Sequence, residues 1–75
     1  MNKKEKLQVY NDCIYEINAL RNGNSVQFCH YDRPWTSKPM IVEKEHDYCI
    51  VDNYILTNFL EVVAIVYRHT MRGMK

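Results

Sequence analysis

The side chains best suited to chemistry in this 75-residue chain are three cysteines and three histidines. Cys29 is followed directly by His30, and His46 stands three positions before Cys49, so these four have the types that bind zinc. The spacing argues against a zinc site, because adjacent side chains of a strand point to opposite faces. His46 and Cys49 could chelate one ion only if their segment turns. We therefore expect half-buried cysteines, surface histidines and no bound metal.

A cysteine nucleophile would need a base beside the thiol and a positively polarised pocket. The two Cys–His pairs stand in no recognisable motif, and the buried face predicted for Cys13 makes that thiol a packing group. Glu43 and Glu45 are the remaining carboxylate pair, and they are expected on an exposed strand or turn. The two glycines do not form a phosphate-binding loop. We expect no catalytic residue, no cofactor and no enzymatic activity.

The loop around Trp35 concentrates aromatic and charged side chains in a segment that should face solvent. Tryptophan, tyrosine and arginine are enriched at interface hot spots, because they bury a large area and keep a polar group. The alternative is that Trp35 folds back over the small core. We predict a partner-binding surface formed by the loop residues Tyr31, Asp32, Arg33 and Trp35 and by the acidic residues Glu43, Glu45 and Asp47.

Charge is distributed unevenly along the chain, although the net charge is only +1. Residues 23–52 contain five acidic and three basic side chains, so this segment could compete with phosphates for a basic surface. Basic side chains cluster at the two ends and supply an alternative, a nucleic-acid-binding patch. Cations in a last helical turn also stabilise that helix end, which explains part of the cluster without a ligand. The patch would consist of Lys3, Lys4, Lys6, Arg68, Arg72 and Lys75.

The periodicity of apolar residues predicts the elements that position these side chains. Apolar residues from Lys3 to Asn22 fall on one arc of a helix, and Gly23 follows as a C-cap signal. Residues 25–31 alternate as a strand, and residues 40–42 and 48–51 form a hairpin that turns near residues 45–47. Asn58 with Glu61 resembles a helix start, although Asp52 or Asn53 could also begin it. The segregation of charges favours a helix there over a buried strand.

These elements predict one α+β domain over residues 1–75: helix, three-stranded antiparallel sheet, helix (αβββα), with both helices on one face. The hydrophobic fraction of 47% is too high for a disordered chain. No apolar run reaches the roughly 20 residues that span a membrane, the first residues lack the apolar core of a secretory signal, and three cysteines form no disulfide framework. We expect a cytoplasmic protein.

The function predicted from these features is that of a small, non-catalytic protein-binding domain. Its size and composition are typical of inhibitors or modulators that phages and mobile elements use to occupy a surface of a larger host protein. The nucleic-acid-binding module with basic ends is the alternative. Tyr15 and Ile65 project away from the apolar arcs of their helices, and exposure of both would favour a homodimer.

Overall fold

The computed structural model describes residues 2–31, 35 and 38–72, and confirms the α+β class. Its sheet is antiparallel with the strand order β1-β2-β3-β4, one strand more than the sequence predicts. None of the described helices is long and apolar enough to cross a membrane. The elements in chain order are α1 (Lys3–Asn18), β1 (Ser25–Phe28), β2 (Met40–Lys44), β3 (Cys49–Val51), β4 (Tyr54–Leu56) and α2 (Phe59–Met71).

Helix α1 begins where expected and ends four residues earlier than predicted. The Asn2 side chain caps its first turn by accepting a hydrogen bond from the Glu5 N–H at 2.9 Å. The helix ends at Asn18 with Ala19 as its C-cap, so Gly23 is not the cap and belongs to the turn that follows. Gly23 has φ +86°, and its N–H donates to the Lys44 carbonyl at 2.8 Å. The glycine therefore lies in the turn that leads into β1 and is hydrogen-bonded to the end of β2.

Strand β1 ends at Phe28 and not at the predicted Tyr31. Ser25 pairs with Glu43 and Phe28 with Met40, which fixes the register of β1 against β2. Beyond Phe28 the chain leaves the sheet, since the Tyr31 N–H donates to the Thr70 carbonyl at 2.8 Å. That bond ties the beginning of the β1–β2 loop to the end of α2.

The additional strand β4 follows a tight turn at Asp52 and Asn53, the two residues that were the alternative to Asn58 as the start of the last helix. Asp52 and Asn53 have φ of 46° and 76°, and Val51 pairs directly with Tyr54 across them. Two successive left-handed residues are typical of a two-residue hairpin turn. Asn58 is confirmed as the cap of α2, since its side chain accepts hydrogen bonds from two N–H groups of the first turn. Residues 59–71 are helical and not a buried strand.

Both helices pack on one face of the sheet, as predicted, and the core lies between the two layers. The core comprises Val9, Cys13, Ile17, Phe28, Val42, Cys49, Val51, Val62, Val63 and Val66. Strand alternation leaves the other face without a helical cover. That open face presents Ser25, Gln27, Ile41, Glu43, Ile50 and Ile55.

The pairing register defines two ends of the sheet. Lys44, Cys49 and Leu56 pair across one end, the Lys44 end, which α1 approaches and from which α2 departs. Met40, Phe28 and the β3–β4 turn form the other, the Met40 end, where α2 finishes against the β1–β2 loop.

Candidate functional site

The aromatic residues of the β1–β2 loop are strongly exposed. Trp35 is 79% exposed and Tyr31 is 54% exposed, so Trp35 does not cover the core. The backbone of Tyr31 is anchored by its hydrogen bond to Thr70, which fixes where this loop leaves the sheet. Asp32 and Arg33, the charged members of the predicted set, lie outside the described residues. The two aromatic side chains stand at the Met40 end.

The acidic members of the predicted partner-binding set lie elsewhere. Glu45 and Asp47 belong to the β2–β3 turn at the Lys44 end, and Glu43 lies on the open face of β2. A five-residue strand separates that turn from the aromatic loop by roughly 13 Å. The structure therefore divides the predicted set into an aromatic surface and an acidic turn, with Glu43 between them.

The predicted basic patch is also divided. Lys3, Lys4 and Lys6 lie in the first turns of α1, whereas Arg68 lies in the last turn of α2 and Arg72 is its C-cap residue. Helix α1 packs against the side of α2 that carries Tyr67 and Thr70, whereas both arginines line a cavity that contains no residue of α1. The lysines and arginines therefore lie on different flanks of α2. Lys75 lies outside the described residues.

The cysteines and histidines do not converge on one metal site. Cys29 and His30 follow β1 at the Met40 end, whereas His46 and Cys49 lie at the Lys44 end. His46 is exposed and its imidazole lies 3.2 Å from the Asn22 amide nitrogen, while Cys49 is buried. Among the described residues, no three His, Cys, Asp or Glu side chains come close enough to hold an ion.

Cys13 lies in the core between α1 and α2, as its position on the buried arc predicts. Its Sγ lies 3.9 Å from the Thr70 hydroxyl, which in turn donates to the Val66 carbonyl at 2.9 Å. Burial raises the pKa of the Cys13 thiol, and the side-chain hydrogen bond with Thr70 opposes this. The thiol is therefore protonated at neutral pH and has the character of a packing group.

Two histidines meet at the Met40 end, a contact that the sequence analysis missed. The rings of His30 and His69 have centroids 5.2 Å apart, and the Nε2 atom of His69 is buried without a hydrogen-bond partner. Desolvation is the main cause that lowers the pKa of His69, with further contributions from His30 and Arg72. Two other interactions raise the pKa of His69. They are a hydrogen bond with the Phe28 backbone and the negative charge of the Asp52 carboxylate. The only indication in the sequence was the strand alternation, which places His30 on the same face as the buried Phe28.

A groove along the flank of α2 that faces away from α1 is the second feature that sequence reasoning missed. Two adjoining cavities of about 380 and 320 Å³ share Met40 and Ile65 and form this α2 groove. The larger cavity is almost entirely apolar, and Tyr54 on its rim is 74% exposed. The groove is lined by Met40, Val51, Asp52, Tyr54, Leu56, Ile65, Arg68, His69 and Arg72.

The groove had a partial signal in the sequence. Ile65 stands off the main apolar arc of α2, and it is half-buried because it packs beside the sheet. Exposure of both Tyr15 and Ile65, the condition set for favouring a homodimer, is therefore not met. Leu60 in the first turn of α2 is among the exposed large hydrophobic residues.

Comparison with protein-family models, with curated protein sequences and with solved structures finds no match. Three regions of the described surface expose apolar or aromatic side chains that another molecule could contact. They are the aromatic loop at the Met40 end, the open sheet face and the α2 groove. Each presents apolar or aromatic area beside polar groups, which is the composition of contact surfaces.

Proposed function

We propose that this chain is a small, non-catalytic protein-binding domain that contacts a larger protein through its β1–β2 loop. The observation that carries the proposal is the 79% exposure of Trp35. An indole left in water forgoes the free energy that its burial would contribute, and a partner surface can supply that burial. A modulator that occupies a surface of its target would use such a residue.

Two further observations support the aromatic loop as the contact. The exposed Tyr31 lies four positions before Trp35, and its backbone is held by the hydrogen bond to Thr70. Anchoring at one end of the loop lowers the entropy that binding must remove. Arg33 lies between the two aromatic residues in sequence and has the third side-chain type enriched at hot spots.

The test measures the affinity of single variants for a purified partner. The tagged protein is used to capture partners from the native lysate with and without nuclease, and the captured protein is then produced separately. Trp35→Ala should weaken its binding by at least roughly 30-fold, the change that corresponds to about 2 kcal/mol. Tyr15→Ala removes a comparably exposed aromatic residue from α1 and should leave the affinity unchanged.

Two results would contradict the proposal. Equal affinities of the Trp35→Ala and Tyr15→Ala variants would remove the loop as the contact. Capture that disappears with nuclease would favour the nucleic-acid module, whose affinity should fall steeply with salt and on substitution of Arg68 and Arg72. Circular dichroism of each variant verifies that it folds.

A further inference from the structure

We propose that the α2 groove binds a peptide segment of a partner protein that combines apolar and acidic side chains. The inference rests on the proposed protein-binding function and adds a second contact of defined chemistry. Its basis is one continuous groove with an apolar floor at one end and two arginines at the other.

The apolar end has room for side chains of a ligand. Its floor is formed by Val51 and Leu56 of the sheet and by Ile65 of α2, and its volume is about 380 Å³. Tyr54 projects at the rim from the edge strand β4. A cavity of this size with apolar walls favours apolar side chains, because their burial removes both surfaces from water.

The basic end selects the charge of the ligand. Arg68 and Arg72 stand one helical turn apart on the flank of α2 that lines the groove. Among the described residues, neither guanidinium has a carboxylate at ion-pair distance. Both arginines also stabilise the C-terminal end of α2 through its helix dipole. A cation on any side of the last turn would do this, so the dipole does not explain why both arginines line the groove. Carboxylates are the complementary groups on a peptide.

One acidic side chain, Asp52, also lines the groove, and it is already engaged. Its Oδ1 accepts a hydrogen bond from the Ile41 N–H at 3.2 Å, which helps to hold the β3–β4 turn. The cavity that continues past Arg72 is lined by Lys38 and by Glu43, whose charges offset each other. The groove therefore keeps an excess of positive charge at the end where α2 finishes.

The geometry sets the spacing expected in the ligand. Ile65 and Arg72 are nearly two helical turns apart, roughly 10 Å along the axis. An extended peptide covers that distance in about three residues. A segment with one or two large apolar residues and acidic residues about three positions away in either direction would therefore occupy both ends.

The experiment selects short random peptides on the immobilised full-length protein and reads the composition of the enriched sequences. The wild type should enrich segments that combine apolar and acidic residues. The double variant R68E and R72E should lose the acidic preference, whereas the charge-matched control K3E and K4E on α1 should keep it. The best peptide, labelled with fluorescein, should bind the arginine variant about tenfold or more weakly.

A pair of variants on β4 tests the apolar end. Tyr54 and Ile55 are both strongly exposed, at 74% and 66%, and they project to opposite faces of the sheet. Tyr54→Ala should weaken binding of the selected peptide, whereas Ile55→Ala should not. Because both side chains are largely in solvent, both variants should fold, which circular dichroism verifies.

Several results would overturn the groove proposal. These are peptide enrichment without acidic preference, a preference that survives R68E and R72E, and tight binding of a labelled single-stranded oligonucleotide that the same variant abolishes. Sedimentation showing a dimer that Tyr54→Ala dissociates would identify a second copy as the occupant. Peptide binding lost with Trp35→Ala but unaffected by R68E and R72E would reject the groove and keep the proposed function.

Discussion

Burial gives the three cysteines different environments although none is in a disulfide. Cys13 and Cys49 are buried in the core, whereas Cys29 lies at the end of β1 with part of its surface in water. Alkylation requires a thiolate that the reagent can reach, so Cys29 is the thiol open to it in the folded protein. The raised pKa of Cys13 adds to its protection.

We expect iodoacetamide to modify Cys29 first in native buffer. Cys13 and Cys49 should react more than about a hundredfold more slowly than in urea, since each must wait for an opening of the core. Mass spectrometry of peptide fragments at successive times measures the three rates, and the urea-unfolded chain supplies the reference rate for each. Reaction of Cys13 at its unfolded rate would mean that α1 and α2 do not pack as described.

At the scale of elements, the two helices could be predicted from the sequence, whereas strand β4, which depends on the turn before it, could not. Buried residues four positions apart in α1 and the Asn58 cap of α2 made both helices predictable. Strand β4 was missed because it has only three residues and its turn is Asp52-Asn53, a pair without glycine. Tertiary pairing with β3 decided that these residues turn instead of starting a helix.

The β3–β4 turn can be tested at Asn53, whose φ is 76°. Asn53→Ala should lower the free energy of unfolding by about 1 kcal/mol, because alanine lacks the short polar side chain whose local hydrogen bonds let asparagine adopt the left-handed region. Asn53→Gly should be neutral or slightly stabilising, since glycine adopts this conformation without strain. Urea unfolding curves measure both effects.

The control for this turn is Asn11→Ala on the exposed side of α1, where alanine favours the helix. It should not lower the unfolding midpoint. Equal destabilisation by Asn53→Ala and Asn11→Ala would mean that the left-handed turn is not what holds β4 against β3.

On the scale of the whole molecule, the candidate sites depend on how the layers meet at the Met40 end. The sequence predicted an exposed aromatic loop there, and Trp35 and Tyr31 are exposed. It could not predict the α2 groove or the His30–His69 contact, because each combines residues from elements far apart in the chain. Such proximity is set by the register of the sheet and the direction of α2, which no local pattern encodes.

The His30–His69 contact makes the stability of the molecule depend on pH. Because the pKa of His69 is lower in the folded protein than its ordinary value of about 6.5, the unfolded chain takes up the proton more readily. The full contribution to the free energy of unfolding is present above the ordinary pKa of about 6.5. It is lost as the pH falls from that value toward the lower pKa of the folded protein. Protonation would place charge in a desolvated position near the positive groups His30 and Arg72, with the Asp52 carboxylate giving partial compensation.

We therefore expect the Tm of the wild type to fall as the pH is lowered from about 7.5 to about 5, and His69→Gln to flatten that dependence. The exposed His46, whose imidazole lies beside the Asn22 amide, provides the control, and His46→Gln should keep the wild-type slope. Thermal unfolding followed by circular dichroism across this range measures all three proteins. If His69→Gln retained the full wild-type slope, the acid sensitivity would lie outside the contact between α2 and the end of β1.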